Sequence, residues 1–232
     1  MNYRRLLLKI SGESLAGGTG NGIDPAMLTR YASIIQNLLL DGHEVGVVIG
    51  GGNFWRGRKS AEMDRMAADK MGMLATVMNS IALTDALERQ EVSTRLMSAV
   101  PLPTVGEPMN GAVARRHLAK GRVVVFAGGT GSPFFSTDSA AALRAAEIKA
   151  DVILKATLVD GVYDKDPNEH RDAMLLRELT FNDILERKLR VIDATAAALC
   201  RDYGLKLIVF NGTDPANILK VAGGESMGTL VR

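Results

Sequence analysis

Short apolar runs alternate with helical segments along almost the whole chain. Arg5–Ile10, Val45–Ile49 and Val123–Phe126 are apolar on both faces, as strands buried in a parallel sheet are. Each run is followed, after a loop, by a segment with helical periodicity. We therefore predict an α/β fold: a three-layer αβα sandwich with a mostly parallel central sheet. In such sheets ligands bind at the carboxyl ends of the strands.

Local start and stop signals set the bounds of the predicted elements. Asp24 and Pro25 are typical of a helix start, and Asp41-Gly42 of a helix end. The predicted strands are Arg5–Ile10, Val45–Ile49, Ser93–Ala99, Val123–Phe126, Val152–Lys155, Leu205–Phe210 and Thr229–Val231. The predicted helices are Pro25–Leu40, Ala61–Arg89, Asn110–Lys120, Thr137–Lys149, Phe181–Arg187, Ala194–Tyr203 and Pro215–Val221. Thr157–Tyr163 is predicted to be a hairpin that turns at Asp160-Gly161.

Length and composition exclude several classes of protein. A chain of 232 residues, 47% of them hydrophobic, predicts one large domain or two tightly joined lobes. The net charge of +2, without a long run of Lys or Arg, argues against a nucleic-acid partner. The single cysteine, Cys200, excludes an internal disulfide framework and fits a reducing cytosol.

Metal, membrane and export signals are weak. The histidines His43, His117 and His170 are too far apart for zinc-ligand spacing. Met71–Leu87 is the most apolar long stretch, but its polar residues indicate a buried helix rather than a membrane span. Met1–Ile10 lacks the long apolar region of a signal peptide.

A glycine-rich loop, Ala127–Asp138, joins a predicted strand to a predicted helix. Its glycines allow backbone N–H groups to face a ligand, and the helix start adds free N–H groups and a positive dipole end. These features predict a phosphate site. Four of its side chains carry a hydroxyl or carboxylate, namely Thr130, Ser136, Thr137 and Asp138. The alternative is an ordinary loop with a helix N-cap.

Three other strands also end in charged or glycine-bearing loops. Lys9-Ile10-Ser11-Gly12 ends the first, Gly50–Asn53 ends the second with Arg56 close behind, and Lys155-Ala156-Thr157 ends the fifth. In a parallel sheet these loops meet at one rim, where the cations and backbone donors hold several phosphates together.

Four of the charged side chains also have an ordinary structural explanation. Lys9 and Arg56 are of types common at a solvated surface, Asp69 fits a solvated helix face, and Asp193 fits the N-cap of the next helix.

Two familiar nucleotide motifs are absent. Gly52–Ser60 has one residue too many before its lysine to be a Walker A loop, and Gly18–Gly22 fails the spacing of a dinucleotide fingerprint.

The motifs together resemble those of the bacterial uridylate kinases, a branch of the amino acid kinase fold family. They occur in order along nearly the whole chain: Leu8–Glu13, Val48–Asn53, Asp69–Thr76, Gly129–Phe135 and Lys155–Tyr163. The resemblance implies phosphoryl transfer from ATP to UMP, giving UDP and ADP, with Mg²⁺ as cofactor and no direct protein ligand assigned to the metal.

The resemblance also implies residue roles. The implied catalytic residues are Lys9, Arg56, Asp138, Lys155 and Asp193. The implied ATP-binding residues are Lys9, Ile10, Ser11, Gly12, Gly52, Arg56, Thr157, Tyr163 and Asp166. The implied UMP-binding residues are Gly51, Asp69, Thr130, Gly131, Ser132, Pro133, Phe134, Phe135, Ser136 and Thr137.

Organisation and regulation are implied in the same way. We expect a cytoplasmic homohexamer and a single amino acid kinase domain, with a UMP lobe and oligomer face in roughly 1–150 and an ATP lobe in 151–232. UTP is the expected inhibitor and GTP the expected activator, but Thr84 and Glu88 stand where basic residues would attract GTP. The possible allosteric residues are Gly17, Gly18, Thr19, Gly20, Asn21, Gly22 and Arg95.

Two other functions fit the same fold. A small-molecule carboxylate or carbamate kinase would need a different acceptor loop, and Pro133-Phe134-Phe135 argues against it. A non-catalytic relative that binds nucleotide or oxyanion, such as a molybdenum storage subunit, is disfavoured because Lys9, Asp138 and Lys155 are all retained.

Overall fold

The computed structural model describes residues 3–55, 63–167, 169–189 and 191–232. Its strands are β1 Arg5–Ile10, β2 Glu44–Ile49, β3 Thr94–Ser98, β4 Glu107–Pro108, β5 Val123–Ala127, β6 Val152–Thr157, β7 Val162–Tyr163, β8 Leu175–Leu176, β9 Glu178–Leu179, β10 Leu207–Asn211 and β11 Thr229–Val231. Its α-helices are α1 Gly12–Leu15, α2 Pro25–Leu40, α3 Arg65–Arg89, α4 Gly111–Leu118, α5 Thr137–Ile148, α6 Phe181–Glu186, α7 Ala194–Asp202 and α8 Asn217–Ala222. A short 3₁₀ helix covers Gly17–Thr19.

Nine of the described strands form one sheet. Their order is β4-β3-β5-β2-β1-β6-β10-β11-β9, and neighbours are parallel except for the antiparallel pair β10–β11. The strands β7 and β8 form a separate antiparallel pair. The central neighbours β1 and β6 are in a register that places Lys9 opposite Lys155.

Apolar side chains on the two faces of this sheet form two separate cores. Leu6 and Leu8 of β1 lie in a core with residues of α2, α3 and α8, whereas Leu7 lies in a core with residues of α4, α5, α6 and α7. Burying both faces requires strands that are apolar throughout, and every residue of β2 and β5 is buried. The predicted three-layer αβα sandwich with a mostly parallel sheet is therefore confirmed.

Side-chain caps fix where the helices begin. Asp24 accepts a hydrogen bond from the backbone N–H of Ala26 (2.8 Å) with Pro25 in the first turn, as predicted. Asp64 caps α3 in the same way, so that helix begins at Arg65 rather than at Ala61, which lies outside the described residues. Within the described ranges, no helix combines the length and the apolar character needed to cross a bilayer.

The predicted hairpin at Thr157–Tyr163 is wrong. Thr157 ends β6 and pairs with Asn211 of β10, and Tyr163 pairs with Leu175 of β8. A Cβ on Gly161 would lie 2.6 Å from the Thr229 hydroxyl oxygen, so this glycine permits a close approach of two segments. Two predicted helices also shift: 110–120 is observed as 111–118 and 215–221 as 217–222.

Candidate active site

Two lysines share one carboxylate at the centre of the sheet's carboxyl edge. Because Lys9 and Lys155 are opposite each other on β1 and β6, their side chains leave the sheet on the same face. Asp138 reaches them from the first turn of α5, with 3.1 Å from one oxygen to Lys9 Nζ and 2.5 Å from the other to Lys155 Nζ. The Lys155 ammonium also donates to the carbonyl of Val191.

Burial and the neighbouring opposite charges shift the pKa values of Asp138 and Lys155 in opposite directions. Burial alone would raise the pKa of Asp138, but the ammonium groups of Lys9 and Lys155 outweigh it and hold that pKa below its ordinary value. Burial lowers the pKa of Lys155, with Asp138 opposing the shift and Lys9 adding to it. The triad therefore keeps an ionised carboxylate between two cations and leaves a net positive charge for anionic ligands.

Asp193 joins the starts of two helices. One oxygen accepts from the N–H of Ala196 (2.9 Å) and from the Ser139 hydroxyl (2.9 Å), and the other accepts from the Ser136 hydroxyl. Ser136 itself caps α5 by accepting from the N–H groups of Asp138 and Ser139. Asp193 is thus the N-cap of α7 that one interpretation expected, and it also holds the start of α5, which carries Asp138.

A cleft of about 640 Å³ opens beside the lysines. Its walls come from the loop after β2, from α3, from the loop between β5 and α5, and from the residues before α7. Of the residues predicted to bind UMP, those that line it are Gly51, Asp69, Thr130, Ser132, Phe135, Ser136 and Thr137. Lys9, Asp138, Lys155 and Asp193 line it as well, together with Gly52 of the predicted ATP set.

Residues 128–136, which we call the acceptor loop, are held against α3. The backbone N–H of Gly128 donates to the Thr76 hydroxyl (3.0 Å), and that of Phe134 donates to the Asp69 carboxylate (2.8 Å). Asp69 also pairs with Arg65 at 2.9 Å, and its side chain is only 15% exposed. The alternative that Asp69 lies on a solvated helix face is therefore wrong.

Glycine is required at several points of this loop. Gly128, Gly129 and Gly131 have φ of +76°, +60° and +86°, a region that other residues rarely adopt. Gly51, on the opposite wall, has no room for a Cβ because such an atom would lie 2.8 Å from the Gly72 carbonyl oxygen.

Two further cavities adjoin Lys155 on the side away from the cleft, and the smaller of them adjoins Lys9 as well. One of about 250 Å³ is lined by Lys9, Ser11, Lys155 and Thr157 among others. One of about 690 Å³ is lined by Lys155 and by the predicted ATP residues Thr157, Tyr163 and Asp166. Lys155 borders all three cavities, so the two lysines lie where the cleft and these cavities meet.

Some predicted site residues are not brought to a cavity wall. The side chain of Ile10 is fully buried in the core, and Gly12 packs closely against Gly50 and Asn53. Gly131, Pro133 and Phe134 belong to the acceptor loop without lining the cleft, and Phe134 is exposed. Arg56 lies outside the described residues.

The Gly17–Gly22 segment is connected to the site by a chain of hydrogen bonds. The N–H and carbonyl of Gly22 bond to Asn53, whose amide pairs reciprocally with the buried Asn79 of α3 at 2.9 and 2.7 Å. Asn79 also donates to the carbonyl of Gly50 (2.7 Å). A buried amide network therefore connects this segment to the loop after β2.

Sequence reasoning missed Asn79, Trp55 and Arg144. Trp55 lines the cleft and donates through its indole to the carbonyl of Ala68 (3.0 Å). Arg144 of α5 is only 3% exposed and donates to the carbonyls of Gly129 (3.2 Å) and Thr130 (3.5 Å). The sequence does carry a signal for Arg144, because this charged residue interrupts an alanine-rich helix face formed by Ala140, Ala141, Ala145 and Ile148.

No cluster of three or more His, Cys, Asp or Glu side chains that could hold a metal occurs in the described part of the chain. Asp138 is engaged by two lysines and Asp193 by two helix starts. The residues that the structure describes therefore offer no ready protein cage for a cation.

The sequence profile of the amino acid kinase family matches residues 4–211. The chain therefore belongs to the amino acid kinase family, the class that the parallel sheet and its carboxyl-edge site define. Within that class it is similar to UMP kinases. The UMP kinase structure from Bacillus anthracis shares 38% identity with a TM-score of 0.96, covering 100% of this chain and 97% of that one.

Two other solved structures agree with that placement. The UMP kinase from Ureaplasma parvum is 37% identical with a TM-score of 0.91, covering 100% of this chain and 99% of that one. The uridylate kinase from Archaeoglobus fulgidus is 31% identical with a TM-score of 0.75, covering 98% and 99%. Each solved relative thus matches this chain over almost its full length.

Proposed function

We propose that this protein is a UMP kinase, which transfers the γ-phosphate of ATP to UMP and gives UDP and ADP for pyrimidine nucleotide synthesis. The observation that carries the proposal is the position of Lys155, which borders the acceptor cleft and both cavities on the other side. The similarity to UMP kinases over the full chain identifies the acceptor.

The chemistry requires alignment and charge neutralisation more than proton transfer. The attacking oxygen belongs to the UMP phosphate, which is largely ionised near neutral pH because such a group has a second pKa of about 6. It forms a bond to the γ-phosphorus of ATP while the bond from that phosphorus to the β-phosphate oxygen breaks. Lys9 and Lys155 bring positive charge to the point where the two anions meet, and Asp138 keeps both ammonium groups in place.

The remaining site residues take roles on either side of the lysines. Gly51, Asp69 and the acceptor loop bind UMP, whereas Ser11, Thr157, Tyr163 and Asp166 bind ATP. Asp193 positions Asp138 through the start of α5. We assign the UMP lobe to roughly residues 1–150 and the ATP lobe to 151–232, within one amino acid kinase domain.

Mg²⁺ is the proposed cofactor and enters with ATP. The absence of a three-ligand cluster among the described residues fits an ion held mainly by phosphate oxygens and water, as Mg²⁺ usually is. Asp138 and Asp193, which line the cleft together with the two lysines, are the carboxylates that would help to hold it. When bound, the ion would neutralise charge on the phosphates.

A homohexamer in the cytoplasm is part of the proposal. Leu74, Met78 and Ile81 recur at helical spacing on α3 and are 45–48% exposed, which supports burial of that face against another copy. The free buried thiol of Cys200 fits a reducing compartment.

Regulation by nucleoside triphosphates belongs to the proposal as well. We propose UTP as an inhibitor. GTP activation is disfavoured because Glu88 is exposed on α3 and Arg95 is paired with Glu107 at 3.6 Å.

The test is ADP release from the purified protein with Mg-ATP and each of UMP, CMP, GMP, AMP and no acceptor. We expect turnover with UMP above all the others. Absence of UMP-dependent turnover, in folded protein that still binds ATP, would contradict the proposal and favour a non-catalytic binding role.

A further inference from the structure

Arg144 is a buried cation that the proposed chemistry does not use. Its side chain is 3% exposed, and it lies on α5 two turns after Thr137. A buried charge is costly unless it is paired and hydrogen-bonded. Arg144 pairs with Glu147, but its other contacts are to the backbone of the acceptor loop.

Those contacts fix the orientation of two peptide groups in the loop. Arg144 Nη2 lies 3.2 Å from the carbonyl oxygen of Gly129 and 3.5 Å from that of Thr130. In a trans peptide the carbonyl and the following N–H point in opposite directions. The N–H of Thr130 therefore points away from Arg144, and that of Gly131 does too.

One of these two N–H groups is already used. The N–H of Gly131 donates to the carbonyl of Gly128 at 3.0 Å. The N–H of Thr130 has no acceptor among the described residues, although Gly129 and Thr130 both line the cleft. Counting described residues alone, a backbone donor beside the cleft is thus left without an acceptor.

The loop needs such an anchor because glycines flank this peptide. Gly128, Gly129 and Gly131 all have positive φ and tolerate many backbone conformations. Thr76 and Asp69 hold the loop only at Gly128 and Phe134. The described contacts leave Arg144 to orient the middle of the loop.

We propose that Arg144 is a positioning residue that aims the Thr130 N–H at an oxygen of the acceptor nucleotide. The proposal rests on the proposed function, since the acceptor is taken to be UMP. The acceptor oxygen is a uracil carbonyl or a phosphate oxygen, which offer the same hydrogen-bonding chemistry. The planar fork of arginine places Nη1 on Glu147 and Nη2 on the two loop carbonyls at the same time, whereas lysine presents a single ammonium.

The first test compares Arg144→Lys with a matched control, Arg115→Lys. Arg115 also donates to a backbone carbonyl of α5, that of Glu147, but it does not touch the acceptor loop. We expect Arg144→Lys to raise the KM for UMP about fivefold or more while kcat and the KM for ATP change less than about twofold, because a ground-state contact is lost. Arg115→Lys should leave all three constants within about twofold of the unaltered protein.

The outcomes separate the proposals. An unchanged KM for UMP in folded Arg144→Lys protein, or equal changes in both variants, would overturn the role of Arg144 alone. Absence of UMP turnover in the unaltered protein would overturn the proposed function and this inference with it.

A second measurement does not depend on the folding of Arg144→Lys, because it follows the unaltered protein. In protein labelled with ¹⁵N-threonine, the Thr130 amide resonance is assigned by its loss in Thr130→Ser. We expect it to shift on addition of UMP, and separate titrations with uridine and inorganic phosphate should show which oxygen it meets. An unmoved Thr130 resonance at saturating UMP would overturn the proposal.

Discussion

The acceptor loop and the segment on the ATP side of the lysines are held in different ways. The loop is fixed by buried or half-buried side chains of α3 and α5, namely Thr76, Asp69 and Arg144. Residues 158–167, which we call the donor segment, have a buried anchor in the Val162 N–H, which donates to the Thr229 hydroxyl, but most of their other side-chain hydrogen bonds join exposed groups. Lys165, for example, pairs with Asp172 at 2.5 Å, and the Asp172 side chain is 79% exposed.

The difference concerns how far each side of the site is ordered before a ligand binds. Buried hydrogen bonds to a charged group contribute about 1.5–3 kcal/mol each, whereas exposed ion pairs contribute about 0–1 kcal/mol. We therefore expect the acceptor side to be the more preorganised of the two, and the donor side to gain more of its order when nucleotide binds. The two sides share Lys9 and Lys155, which Asp138 holds in place, and changes in this triad should have the largest effects.

Lys9→Ala should produce the largest loss of activity. Removing this ammonium takes away charge beside both the cleft and the smaller cavity, between which we propose that the phosphate is transferred. We expect kcat to fall by about 10²- to 10³-fold, the usual effect of losing one group that stabilises transition-state charge. Steady-state kinetics with each substrate varied in turn measure it. A loss of tenfold or less would remove Lys9 from the assigned role.

Asp138→Asn should cost most in stability at neutral pH. It leaves Lys9 and Lys155 without their shared carboxylate, and breaking a buried ion pair typically costs about 3 kcal/mol. The pKa of Asp138 is lower in the folded protein than in the unfolded chain. Its contribution is therefore present above the unfolded pKa of about 4 and is lost as the pH falls through the folded pKa.

Urea unfolding at pH 7 and near pH 3 checks this. The free-energy difference between Asp138→Asn and the unaltered protein should shrink at the lower pH, because protons there bind the carboxyl of the unfolded chain, whose pKa is about 4, more readily than the folded one. A difference independent of pH would show that the carboxylate charge does not stabilise the triad.

Asp69→Asn tests the acceptor side alone. The change keeps the shape of the side chain but removes the charge that accepts from Phe134 and pairs with Arg65. We expect the KM for UMP to rise about tenfold with the KM for ATP unchanged, since hydrogen bonds to a charged group are worth about 1.5–3 kcal/mol. Quenching of Trp55, the sole tryptophan of the chain, provides an independent binding measurement from inside the cleft. An unchanged KM for UMP would exclude Asp69 from the site.

Local sequence patterns predicted the overall architecture of this molecule correctly. Strands apolar on both faces had to lie inside a parallel sheet, and that placed Lys9 and Lys155 at the same edge. The order of the strands and the register between these two lysines came only from the structure, because pairing depends on contacts between distant segments. The roles of individual site residues remain predictions.

The errors and omissions share a physical cause. Asp160-Gly161 carries a local turn signal, but pairing of Thr157 with Asn211 and packing of Gly161 against Thr229 override it. Asn53 and Asn79 are 26 positions apart and meet only in the folded chain. Arg144 was detectable as a charge on an apolar helix face, but its targets, the carbonyls of the acceptor loop, were not.

Lys165→Ala should have the smallest effect, and it tests the donor half of the comparison. Its partner Asp172 is largely exposed, so solvent screens the pair and we expect unfolding free energy to change by less than about 0.5 kcal/mol. The KM for ATP should rise by no more than about twofold, because the nucleotide rather than this ion pair orders the donor segment. Urea unfolding and ATP-dependent kinetics, with Asp172→Asn as the matched variant, measure both quantities. A large and equal rise in the KM for ATP in both variants would mean that the donor segment is as preorganised as the acceptor loop, and the contrast between the two sides would fail.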